Sequence, residues 1–369
     1  MTLAARPGEL AALSSLAAFT AGRRRQAVLA VFGVTLLCLV LAIVATGQGA
    51  VQIPPARVAE ILMAKLSGQD ELLTGRDALV VLNIRLPRVL LAMLIGAALA
   101  ISGALMQGLF RNPLADPGLV GVSAGAGLAA ATTIVLGDRL LAGTGFKLPF
   151  AALPVGAFCG GLISTLALYL IATRQGRTSV ATMLLAGVAL GALAGSLTGL
   201  LAFISDDRQL RDLTFWSLGS LGGASWAKLV IVAPIVLPLL FAVPLLARGL
   251  NALMLGEAEA YHLGLPVQRI KGLAILLVAL AVGASVATAG VIGFVGIVVP
   301  HLIRLAIGPD HRLLLPLSAL GGATLLVGAD IAARLIVAPA ELPIGIVTAA
   351  VGAPFFLWLL LRRANHVDL

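Results

Sequence analysis

The side chains in this sequence that could do chemistry are few and widely separated. Arg85, Arg88 and Arg334 stand at the ends of apolar runs, Asp330 precedes Arg334 by four residues, and Gln107 and His301 lie within apolar runs. A charge or amide at such depth is costly in hydrocarbon and must face protein or water. Asp330 and Arg334 can pair across one helical turn. For the arginines two destinations are open: an acidic partner, or lipid phosphate reached by snorkelling. None of this is a set for covalent chemistry. His262, His301, His311 and His366 have no metal-ligand spacing. Cys38 and Cys159 lie inside apolar runs, which suits neither a disulfide nor a metal site. The phosphate cradle G-x-x-x-x-G-K-[ST] is absent. The expectation is therefore no catalytic residue, no metal and no cofactor in this chain; if ATP is used, another subunit binds it.

The elements that hold these side chains are set by composition. Hydrophobic residues make up 60% of the 369 and charged residues only 11%, with a mean hydropathy of +1.08. A soluble domain needs roughly a quarter of its residues charged, so this is a polytopic membrane protein. The net charge of +9 does not point to nucleic acid, because the basic residues flank apolar runs and form no single stripe. The 42 glycines suit close helix packing in lipid.

Ten apolar runs read as membrane spans: 27–46, one starting near Leu86, 118–137, 149–172, 180–204, 228–247, 271–289, 291–307, 313–336 and 342–361. Each approaches the ~20 residues a bilayer requires. The first run is too long for the core of a secretory signal and reads as an uncleaved span. The expected fold is thus all-α, a polytopic membrane protein with ten transmembrane helices in one bundle, residues 27–363. Tails 1–26 and 364–369 are expected in the cytoplasm, since Arg23–Arg25 and Arg362-Arg363 flank the outermost spans. On that topology Arg85, Arg88 and Arg334 face away from the cytoplasm. Between the second and third spans, Asn112-Pro113-Leu114-Ala115-Asp116-Pro117 interrupts the helix, because proline lacks an amide donor and clashes with the preceding turn. Such a break survives in a membrane only when shielded or lining a pathway. The stretch 248–270 is a charged, amphipathic insertion. Gly187, Gly191, Gly195 and Gly199 form a flat stripe on the fifth span, and Gly121/Gly125 and Gly156/Gly160 repeat the device; packing is the expected use.

Four stretches, in order, resemble the FecCD family of bacterial ABC importer permeases for iron complexes and vitamin B12. They are Arg85-Leu86-Pro87-Arg88 through Asn112–Pro117 to Gly121-Val122-Ser123; Leu255-Gly256-Glu257 with Leu263-Gly264; GFVGIVVPHLIRLAIGPDHRLLLP (293–316) with Gly328-Ala329-Asp330 and Ala333-Arg334; and Glu341-Leu342-Pro343-Ile344-Gly345 through Gly352-Ala353-Pro354-Phe355-Phe356. The likeness covers roughly residues 80–363.

The resemblance implies a homodimer in the bacterial inner (cytoplasmic) membrane, with its conduit on the two-fold axis. It implies two ATP-binding cassette subunits, which hold ATP and Mg, and one periplasmic substrate-binding protein. Arg85, Arg88 and Arg334 would receive acidic residues of that binding protein. Asn112 and Leu114 would form the cytoplasmic gate, with a second constriction near Thr178–Thr182. The region 248–270 resembles the short cytoplasmic coupling helices, with Leu253, Gly256, Glu257 and Gly264 at the ATPase contact; Leu250, Met254 and Tyr261 would add apolar surface and Glu259 and Arg269 a polar rim. Family likeness leans towards haem as cargo, with ferric siderophores or cobalamin as alternatives. A secondary transporter would have to couple ions through an acid such as Asp330, the only one well inside a span, and no inverted pair of broken helices is visible. A membrane enzyme would need clustered His, Asp or Cys at depth, and none is present.

Overall fold

The computed structural model describes residues 28–49, 51–69, 73–141 and 152–364. The tail 1–26 and all of 364–369 beyond Ala364 lie outside these residues. The described chain is a helical bundle with one two-residue β-hairpin. Six helices are long and apolar enough to cross a membrane: α1 (Val28–Gly47), α3 (Arg76–Leu109), α5 (Ala152–Ala172), α6 (Val180–Phe203), α11 (Val267–Ala289) and α13 (His311–Leu335). A bent pair, α8 (Trp226–Phe241) with α9 (Val243–Leu253), turns by 47° and makes a seventh candidate. Three shorter apolar stretches complete the set: Val122–Gly137 in α4 (Val122–Leu141), α12 (Val295–Ile307) and Ile344–Leu359 in α14 (Ile344–Ala364). Every run expected to span is helical, but they are not ten equal helices.

The differences have local causes. α3 starts at Arg76, ten residues before the expected Leu86, and its early π-helical turn spans Val80–Arg85. At 1.5 Å per residue its 34 residues are about 51 Å long, well beyond a hydrocarbon core of about 30 Å. Arg85 and Arg88 therefore sit within a continuous helix, not at its entrance. The span 228–247 bends because Pro244 enters α9 without an amide to donate, while Pro234 and Pro238 weaken α8. The segment assigned to 291–307 becomes helical only at Val295, so α12 is about 20 Å long by the same rise. Residues 290–294 before it are non-helical, and Phe294 adopts a left-handed φ of 68°. Two helices in the connections, α2 (Pro55–Ser67) and α7 (Asp207–Ser217), lie outside the apolar runs; α7 opens with a reciprocal cap between Asp206 and Gln209. α10 (Glu257–His262) lies in the charged insertion.

α3 is the hub, buried along nearly its whole length from Pro87 to Leu109. It can be surrounded because its approaches are glycine on glycine. A Cβ on Gly103 would overlap the Gly296 carbonyl, and one on Gly96 the Gly322 carbonyl. Elsewhere Gly125 and Gly160 pack backbone to backbone, and Gly187 abuts the Leu119 carbonyl. Gly191, Gly195 and Gly199, however, have nothing within 4 Å. Most of the stripe on α6 is thus an uncovered face of the single chain, not an internal packing surface. The close approach at Gly103 predicts that Gly103→Ala lowers stability by ~1–3 kcal/mol, the usual range for overpacking. Gly127→Ala, into open space, should be near neutral; thermal unfolding of the two variants in detergent compares them.

Candidate docking, gating and coupling sites

Arg85, Arg88 and Arg334 converge, and the acids that meet two of them are internal. Asp330 Oδ1 accepts from Arg88 Nε at 2.9 Å and lies 2.9 Å from its Nη2. Asp330 Oδ2 is 3.0 Å from Arg334 Nε, the pair expected across one turn of α13. Glu341, in the segment before α14, accepts from Arg88 Nη1 at 2.8 Å. Arg334 also donates to the Gln48 and Ala45 carbonyls at 2.7 and 3.1 Å. Arg85 is held differently: it donates to the Thr46 and Gly47 carbonyls at 2.9 and 2.8 Å, and to that of Val51. The frayed end of α1 leaves carbonyls without helical partners, and the guanidinium groups satisfy them. One network thereby ties α1, α3 and α13 together. Beside it opens a cavity of about 220 Å³ lined by Arg85, Arg88, Arg334 and Glu341. Tryptophan joins the same face, as Trp226 Nε1 donates to the Leu82 carbonyl at 2.8 Å.

The break after α3 is a compact turn. Arg111 takes a left-handed φ of 48°, and the Asn112 amide returns to the Gln107 carbonyl at 3.1 Å. Asn112 Oδ1 then accepts from the Leu114 amide at 3.0 Å, an Asx turn that folds the loop on itself. Asp116 repeats the device on the Gly118 amide at 2.7 Å. Burial pushes the Asp116 carboxyl above its ordinary value, while that amide pulls it down. Asn112 is exposed and Leu114 half-buried, so both remain available to a neighbour, whereas Ala115 and Pro117 are buried. Pro117 presses on Gly296 at the start of α12. Gln107, fully buried, reaches the Gly296 and Ile297 carbonyls at 3.4 and 3.3 Å.

The second expected constriction contains a feature the sequence reading missed. Thr173–Arg174 and Arg177–Thr178 form β1 and β2, joined through Gln175 and Gly176 at φ of 50° and 73°. Two left-handed residues make the two-residue hairpin turn that matches strand twist, and the signal was the Gln-Gly pair. Ser179 then caps α6 by accepting from the Thr182 amide. The hairpin is fastened to α11: the Thr178 amide donates to Gln268 Oε1, and Lys271 Nζ donates to the Thr178 carbonyl, both at 3.0 Å.

Lys271 also pairs with Glu257 at 2.6 Å, joining α10, the hairpin and α11 at one ammonium group. Gly256 and Gly264, at φ of 130° and 77°, bracket α10 in conformations that side chains disfavour. Two expected contact residues face the other way. Leu250 and Leu253 are buried, because Val243, Leu246, Ala247, Leu250 and Leu253 form one apolar stripe of α9 turned into the core. That i, i+3, i+4 pattern was legible in the sequence. The exposed apolar groups are Met254, Leu255, Tyr261 and Leu263, beside a cavity of about 630 Å³ lined by Tyr261, His262, Pro266 and Arg269 among others. Asn251 links α9 to the start of α13, donating to Asp310 at 2.6 Å and accepting from the His311 amide at 2.9 Å.

Compared with known proteins, residues 36–362 match the FecCD transport family. The chain belongs to this family. It is 53% identical over 289 residues to the hemin transport system permease protein HmuU of Yersinia pestis, covering 77% of this chain and 84% of the relative. It is 44% identical over 335 residues to the vitamin B12 import system permease protein BtuC of Klebsiella pneumoniae, covering 91% and 94%. Among solved structures, a metal-chelate type ABC transporter in an inward-facing conformation superposes with a TM-score of 0.74 at 32% identity, over 90% of this chain and 98% of the other. This FecCD chain is a multi-pass membrane permease of an ABC importer. The structure brings Arg85, Arg88 and Arg334 together, and it gathers Gly256, Glu257 and Gly264 around α10. Sequence reasoning did not find Lys271, Gln268 and Glu341, because a lone charge or amide near a span end gives no hint of its partner.

The Lys271–Glu257 pair is lopsided: the lysine side chain is 1% exposed and the glutamate 44%. Glu257→Gln strands a buried charge and should cost about 3–5 kcal/mol, whereas Lys271→Met returns a half-hydrated carboxylate to water and loses the bond to the Thr178 carbonyl, at about 1–3 kcal/mol. The double variant should recover the part of the loss that comes from the stranded charge, as read from unfolding midpoints of the three in detergent.

Proposed function

We propose that this FecCD permease passes haem from periplasm to cytoplasm across the bacterial inner membrane. It works as a homodimer with two ATPase subunits and a periplasmic binding protein. The observation that carries the haem reading is the 53% identity to the hemin permease, against 47% to a vitamin B12 permease over a span of similar length. The chain has no phosphate cradle of its own, so ATP and Mg belong to the partner ATPase. The bare face of α6, with Gly191, Gly195 and Gly199 flanked by exposed Leu193, Leu197 and Leu200, suits a conduit shared across a two-fold axis. A smooth, uncharged wall offers a large, partly apolar metal complex no ligand strong enough to trap it.

In this reading Leu114 and Asn112 of both copies close the cytoplasmic neck. The ATPase subunits press on Leu255, Tyr261 and Leu263 around α10, and Lys271 carries that movement to α11 and to the hairpin before α6. The two states differ in which ATPase arrangement they bind, and nucleotide shifts the population between them. Both termini lie in the cytoplasm. Specificity resides in the binding protein, whose carboxylates meet the outer arginines; complementary charge steers encounter and fixes orientation. An ion-coupled route would need Asp330 as a carrier, yet that carboxylate is closed between Arg88 and Arg334.

Proteoliposomes holding the permease and its ATPase, supplied with the periplasmic binding protein, should accumulate hemin only with ATP. Accumulation of cobalamin in place of hemin would move the cargo to the alternative. Uptake by the permease alone would remove the ATP-driven reading. Arg85→Glu should weaken capture by the immobilised binding protein about tenfold or more; because Arg85 also holds the Thr46, Gly47 and Val51 carbonyls, the variant's unfolding midpoint in detergent is read beside capture, and the docking role requires a loss of capture larger than any loss of folded protein.

A further inference from the structure

The outer cavity contains a carboxylate already, and its placing differs from that of its neighbour. Arg88 is held by two acids: Asp330, whose side chain is 2% exposed, and Glu341, whose side chain is 43% exposed. Asp330 is also paired to Arg334 and fixed within the bundle. Glu341 has Arg88 as its one ion-pair partner among the described residues, and stands in the segment between α13 and α14. We infer that Glu341 is a surrogate ligand: in the free permease it occupies on Arg88 the place that a carboxylate side chain of an acidic docking partner takes in the assembled importer. This rests on the docking reading of the outer arginines.

Three physical points support it. First, the cavity of about 220 Å³ has Arg85, Arg88, Arg334 and Glu341 in its wall. A water occupies about 30 Å³ of liquid, so a carboxylate side chain fits with solvent to spare. Second, of the acids among the described residues only Asp330 and Glu341 lie within ion-pair distance of the three guanidinium groups; the hydrogen bonds of Arg85 all end on carbonyls, and Asp77 acts on it through space alone. An incoming carboxylate can replace Glu341 on Arg88 without leaving any guanidinium unpaired. Third, the exchange is cheap. Arg88 keeps Asp330 throughout, so the exchange never strands its charge, and the displaced Glu341 is already half-exposed to water. Asp330 cannot make the same exchange, since it would leave a buried charge uncompensated. Glu341 therefore sets the threshold for docking: a partner with one well-placed carboxylate competes with it, and a neutral partner does not.

The test is equilibrium binding of the detergent-solubilised permease to the immobilised periplasmic haem-binding protein of the same organism. Glu341→Gln keeps the shape and removes the competing charge, so the dissociation constant should fall about three- to tenfold at low salt. That gain should fade in 0.5 M salt, where screening is strong. Glu341→Ala should move the same way, and Arg85→Met the opposite way. If Arg85→Met weakens binding while both Glu341 variants leave it unchanged or weaker, docking stands and the surrogate role is overturned. If Arg85→Met has no effect, the arginines are not a docking site and both readings fall.

Discussion

Hydrocarbon offers no water to an amide or carbonyl left free where a helix stops, so each interruption in this bundle has to be closed by protein. The chain stops helices at several places and closes each one with its own turn or with a loop brought in from elsewhere in the sequence. After α3, the Asn112 and Asp116 side chains accept the amides of their own turns. Before α12, the last carbonyl of α11, Ala289, accepts from the Ser220 amide at 2.7 Å. The Ile344 and Gly345 amides at the head of α14 go to the Gly219 and Leu218 carbonyls at 2.9 and 3.0 Å. The loop 218–220 thus serves two breaks at once. This makes irregular backbone affordable beside the hub helix.

Charge follows the same rule. The buried guanidinium groups do not float in lipid; they cap the carbonyls at the end of α1 and clasp Asp330 on α13. Lys271 does the equivalent at the other end, gathering a carbonyl of the hairpin and a carboxylate of α10. Each cluster joins elements far apart in sequence, and each is only partly closed to solvent: Glu341 in one and Glu257 in the other are half-exposed. Those two carboxylates stand where an external protein can reach the buried lattice.

The bare stripe on α6 belongs to the same picture. Its glycines permit close contact, yet three of the four meet nothing within the chain. The described chain therefore leaves this face of α6 open to whatever surrounds it in the membrane, lipid or protein.

Class and the position of the Pro-interrupted break were legible in the sequence, because burial in lipid demands long uncharged runs and proline cannot continue a helix; of the ten expected spans, six helices, or seven with the bent pair, have spanning length among the described residues. Arg85, Arg88, Arg334 and the Asp330–Arg334 pair were legible too, since charge at that depth has to be answered, and a partner four residues away lies on the same helix face. Tertiary structure alone decided the rest. It set Glu341 against Arg88 across 253 positions, turned Leu253 inward and left Leu255 outside, started α12 in mid-bundle, and left Gly191 to Gly199 uncovered. Such outcomes depend on which helices meet, and a one-dimensional pattern records the period of a helix but not the neighbour its face will find.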